Sequence, residues 1–64
     1  MKWAQIEGNW KQFAGKVKQH WGNLTGDDIT KANGKREKLE GVLQARYGLT
    51  NEQAKKELDT YLSH

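Results

Sequence analysis

The sequence predicts an all-α domain built from two helical hairpins in tandem, and three observations carry that prediction. Apolar side chains recur at steps of three and four, the spacing of one helix face. Trp3, Ile6, Trp10, Phe13, Val17 and Trp21 form the longest such series. Six of the seven glycines fall into two sets with a spacing of seven, Gly8, Gly15, Gly22 and then Gly34, Gly41, Gly48, offset by 26 residues. Each set runs into the same exit, Trp21-Gly22-Asn23-Leu24-Thr25 in the first and Tyr47-Gly48-Leu49-Thr50 in the second, with Asn23 as one extra residue. Superposing the sets also lays Phe13 on Leu39, Val17 on Leu43 and Trp21 on Tyr47.

Helix 1 is expected over about residues 3–21, with the aromatic series as its buried stripe. Gly22 is placed to close it in the left-handed conformation. Thr25 then serves as an N-cap, and Asp28 stands at the reach-back position of a capping box. Leu24 and Ile29 flank that cap as a hydrophobic staple. Helix 2 is short, about 26–32, and Asn33-Gly34 is the break expected after it, with one continuous bent helix through helices 2 and 3 as the alternative. Helix 3 runs over about 34–47, with Ala32, Leu39, Val42, Leu43 and Tyr47 on one side. Gly48 ends it, and Thr50 with Gln53 opens helix 4 over about 51–62. Leu49 and Ala54 repeat the staple, and Ala54, Leu58, Tyr61 and Leu62 supply the last stripe. At about 100° per residue, Gly8 and Gly15 fall opposite the helix 1 stripe, and Gly34 and Gly41 opposite that of helix 3. Such glycines have three readings: a tolerated cost of about 1 kcal/mol each, close approach of another helix or a partner, or marginal stability that lets helices loosen and re-form.

A chain of 64 residues with no cysteine has neither disulfides nor thiolate metal sites to staple it. Its mean hydropathy is −1.06, and 30% of its residues are charged. A two-domain enzyme, a secreted disulfide knot and a membrane span are excluded on these grounds. The N-terminal residues contain no apolar run of signal-peptide length, so the expected location is the cytoplasm. The net charge is +3. The excess sits in the first third, where Lys2, Lys11, Lys16 and Lys18 face only Glu7.

Constellations for catalysis are absent. There is no cysteine nucleophile, and the one serine is Ser63. A metal site would need His20 and His64 to meet among carboxylates, so no metal and no cofactor are expected. Asp27 and Asp28 are better explained as helix-capping acids than as a catalytic pair. One candidate surface remains, and it is basic: Lys11, Lys16 and Lys18 on helix 1 with Lys35, Arg36, Lys38 and Arg46 on helix 3. Glu37 and Glu40 dilute it. A solvated face accounts for these charges; a weak phosphate-backbone binder is the sharper alternative. Trp3, at a terminus, is the best candidate for an exposed stacking platform.

Gly8-Asn9-Trp10-Lys11-Gln12-Phe13, Gly15-Lys16-Val17-Lys18, Trp21-Gly22, Leu24-Thr25 and Asp27-Asp28 resemble the opening block of the CsbD-like family. Gly34-Lys35-Arg36, Leu39, Gly41, Gln44 and Arg46-Tyr47-Gly48 are similar to its second block. The resemblance spans about residues 5–60 and implies one domain over 1–64. It implies four short helices as two crossed α-hairpins, a small orthogonal bundle similar to the sterile-alpha-motif arrangement. It also implies a small bacterial protein of the general stress response, without catalytic residues. The leading expectation is a non-enzymatic protective or interaction module of hydrophilin-like composition, its partner unknown. Nucleic-acid-backbone binding through helices 1 and 3 is the alternative. Membrane-surface binding by helix 1, with its tryptophans at the interface, ranks last.

Overall fold

A computed structural model describes residues 2–63 of the chain. All regular structure among them is helical: α1 Trp3–Gly8, α2 Trp10–His20, α3 Gly26–Ala32, α4 Arg36–Tyr47 and α5 Asn51–Leu62. Helices adjacent in sequence are packed on one another, from α1 on α2 through to α4 on α5. The Cα radius of gyration is 10.5 Å, close to the roughly 11 Å of a compact chain of this length.

Five helices replace the four expected, because helix 1 is broken at Asn9. That residue has φ −123° and ψ 39°, outside the helical range, and its backbone N–H is shared between the carbonyls of Gln5 and Ile6. Its side-chain Nδ2 also donates to Gln5 O at 3.1 Å. A short amide side chain that bonds local carbonyls competes with helix propagation, and Gly8 just before it has low helix propensity. The break lets α1 swing onto the α3–α4 turn. There Trp3 Nε1 donates to Gly34 O at 2.9 Å, Lys35 Nζ sits 3.2 Å from Glu7 Oε1, and Ile6 is fully buried.

The two expected capping boxes are present. Asp28 N–H donates to Thr25 Oγ1 at 3.1 Å, and Thr25 N–H donates back to Asp28 Oδ2 at 3.0 Å. Thr50 and Gln53 repeat the exchange at 3.1 and 2.9 Å. The exits between helices differ. Gly48 is left-handed at φ 65°, as expected, and both its N–H and that of Leu49 bond to Gln44 O. Gly22 is not left-handed. The extra residue Asn23 lengthens the first exit into a turn closed by Leu24 N–H to Trp21 O at 3.0 Å, so the φ of Gly22 is not called upon. Helix 3 also starts later than expected, at Arg36. Asn33 and Gly34 are both left-handed, at φ 48° and 79°, and separate α3 from α4.

The core is made by Val17, Trp21, Leu24, Ile29, Ala32, Leu39, Leu43, Ala54 and Leu58, with Trp3, Trp10 and Tyr61 half-buried against it. Tyr47, expected in the helix 3 stripe, is 38% exposed. Its hydroxyl instead accepts from Asn23 N–H at 3.1 Å, so the second copy of the repeat ties down the extra residue of the first.

Candidate functional site

The seven basic residues singled out from the sequence do not share one environment. Lys35 pairs with Glu7 across the α1 junction. Arg36, at the start of α4, donates Nε–H to Glu40 Oε2 at 3.1 Å and Nη2–H to Asp59 Oδ1 at 2.7 Å, which joins α4 to α5. Arg46, near the end of α4, donates Nε–H to Asp28 Oδ2 at 2.7 Å and Nη2–H to Asp28 Oδ1 at 3.0 Å. These three cations connect elements. Lys11, Lys16, Lys18 and Lys38 are exposed, without an ion-pair partner among the described residues. Lys16 Nζ lies 5.3 Å from the centre of the Phe13 ring.

Four of the seven line three open grooves. Lys11 lines one with Glu7, Gly8, Asn9 and Trp10. Lys16 lines another with Gln19, His20 and Tyr61. Lys38 and Arg46 meet in a third, of about 390 Å³, between α3 and α4. The sequence reading missed Lys31, which lines this third groove beside Asp28. Its signal was available: Lys31 follows Asp28 by three residues and so shares its face of α3.

Asp28 is the most perturbed of these groups. The Arg46 guanidinium, with the Thr25 backbone N–H behind it, lowers its carboxyl from 3.8 to about 2. The residue is buried, yet both oxygens are satisfied. Glu40, the other buried acid, is held by Arg36.

The aromatic residues do not form a stacking platform. Trp3 is half-buried and bonded to Gly34, and its ring centre is 6.3 Å from that of Trp10. Trp10 Nε1 donates to Ile29 O at 3.3 Å, and Trp21 is in the core. His20 is exposed and packs against two rings, edge-on to Trp21 at 4.5 Å and tilted to Tyr61 at 4.9 Å. No group of three or more metal-ligating side chains is assembled among the described residues, and His64 lies outside them. None of the described helices is long and apolar enough to cross a membrane.

Comparison with known proteins places the chain among similar sequences. The family model described as CsbD-like matches residues 4–56. The UPF0337 protein YjbJ of Escherichia coli (strain K12) is 59% identical over 51 residues, covering 80% of this chain and 74% of that protein. The UPF0337 protein ECA0631 of Pectobacterium atrosepticum is 52% identical over 60 residues, 94% of this chain and 87% of the relative. The UPF0337 protein RPA4217 of Rhodopseudomonas palustris is 49% identical over 63 residues, 98% and 96% of the two chains. No solved structure shows significant similarity to the chain.

Proposed function

The chain belongs to the CsbD-like family, and from that premise we propose that it is a non-enzymatic bacterial stress-response protein, a soluble protective or interaction module of the cytoplasm. The supporting observation is where its polar chemistry is committed. Of the two buried acids, Asp28 is held in a helix cap and in an ion pair that joins α3 to α4, and Glu40 is paired within α4 to Arg36, which also reaches Asp59 of α5. The rest of the charge is displayed to solvent around a small core. The same reading takes α2 with α3, and α4 with α5, as two crossed hairpins of the sterile-alpha-motif kind.

A protective module acts by its surface and its number of copies. Labile enzymes dried or frozen with this protein are therefore expected to recover more activity than with an equal mass of inert albumin. Equal recovery in the two arms would remove the protective reading and leave an interaction module, which captures specific partners in the undried state.

A further inference from the structure

We infer that the groove between α3 and α4 is a binding site for phosphoryl-bearing anions, held by Lys31, Lys38 and Arg46. This goes beyond the protective reading and does not depend on it. The groove is lined by three cations and one carboxylate, with Gly41, Val42 and Ala45 completing it. The carboxylate, Asp28, does not oppose an anion as a free charge would, because Arg46 grips both of its oxygens. That grip also fixes Arg46. Two of its N–H groups go to Asp28, and the other three of a guanidinium's five donors remain for a ligand. Its side chain is 47% exposed. A planar fork held in place by a buried acid loses less freedom on binding than a free lysine does.

The neighbouring cations sharpen the contrast. Lys35 and Arg36 are engaged by Glu7, Glu40 and Asp59, whereas Lys31 and Lys38 have no such partner among the described residues. On α4, Lys38, Gly41, Val42, Ala45 and Arg46 follow helical steps along one face, so Lys38 and Arg46 stand at either end of a low floor. A Cβ built on Gly41 meets nothing within 4 Å, so the glycine leaves the floor open where a longer side chain would stand. Tetrahedral phosphoryl oxygens suit this arrangement of one fork and two point charges.

Amide chemical shifts followed during titration at low salt test the site. Pyrophosphate and a short single-stranded oligonucleotide serve as the two probes. Shifts are expected at Lys31, Lys38, Gly41, Val42, Ala45 and Arg46. Exchanging both exposed lysines, Lys31→Gln with Lys38→Gln, should weaken binding about tenfold, as for two lost phosphate contacts of about 0.7 kcal/mol each. The triple variant Lys11→Gln, Lys16→Gln, Lys18→Gln should change it less than about twofold. Gly41→Glu, which adds a carboxylate to the floor, should abolish binding while the melting temperature does not fall. Saturation of the same amides by pyrophosphate assigns free oligophosphates as ligands. Response to the oligonucleotide alone assigns a nucleic-acid backbone, with a log–log salt slope of about −2 for three contacts. No shift with either probe at millimolar concentration overturns the site, and so does an equal loss in the α2 triple variant.

Discussion

Glycine has opposite meanings at different positions of this chain. Gly15 in α2 and Gly41 in α4 are exposed, and a Cβ at either meets nothing within 4 Å. Close approach within the chain is therefore not what keeps them glycine, and alanine should stabilise each by up to about 1 kcal/mol. For a domain of this size that raises the melting temperature by about 4–8 °C per kcal/mol. Gly48 sits at φ 65° and Gly34 at φ 79°, where an added Cβ would also stand 3.4 Å from the Glu7 backbone. Alanine there should lower the melting temperature, since the left-handed region is unfavourable to any residue with a Cβ. Thermal melts of the four single variants check both signs. Asp28 gives a second residue-scale outcome. Its folded value of about 2 lies below its ordinary 3.8. The Arg46 pair therefore contributes stability fully above about pH 4, and that contribution is lost as pH falls toward 2. Asp28→Asn should lower the melting temperature at neutral pH, and the gap to the parent protein should close between pH 4 and 2. A gap that stays constant over that window would show that the charge of Asp28 is not what matters.

At the scale of the element, α1 is a short helix of six residues held by tertiary contacts. A helix so short does not persist in water on its own. Trp3→Phe keeps an aromatic ring, though a smaller one, and removes the bond to Gly34 O, at an expected loss of at least about 1 kcal/mol. Hydrogen exchange at Ile6 and Glu7 should then accelerate about fivefold through local opening, with Leu43 in α4 changing less. Equal acceleration at all three would mean that α1 does not open separately. The same helix shows where the sequence was legible. The starts of α3 and α5 were readable because a capping box is a local pattern of four residues, Thr25 to Asp28 and Thr50 to Gln53. The α1–α2 break was not, because the aromatic series keeps helical spacing straight through Asn9. Gly8 and Asn9 weaken the helix locally, but what holds α1 in its bent position is a distant acceptor, the carbonyl of Gly34. The site followed the same rule. Lys38 and Arg46 were visible as charges, but the partner of Arg46 is 18 residues away. The repeat hides this pairing, because the position equivalent to Asp28 is the neutral Gln53.

Across the whole molecule, the balance between a small core and exposed glycines sets how much damage the fold withstands. Native domains hold about 0.05–0.15 kcal/mol per residue, which for 64 residues is about 3–10 kcal/mol. Leu58 is fully buried in α5 and packs in the cluster that α2, α3 and α4 share. Leu58→Ala should cost about 2–5 kcal/mol through lost burial and the cavity left behind. That is enough to leave much of the population unfolded at growth temperature. Gly15→Ala lies on a different helix with an open Cβ position, so its gain should add to the Leu58→Ala loss almost independently. The double variant is therefore expected to melt about 4–8 °C above Leu58→Ala alone. Circular dichroism and tryptophan emission followed together measure this, since Trp3, Trp10 and Trp21 all pack in or against the core and the backbone signal reports the helices. The two variants also separate the sources of protection. If protection of dried enzymes belongs to the folded surface, Leu58→Ala should lose it and Gly15→Ala should restore part of it. If it belongs to hydrophilic composition, protection should be the same in all three proteins, whatever their melting temperatures. If loosening of the helices is what protects, Gly15→Ala alone should protect less than the parent protein while melting higher.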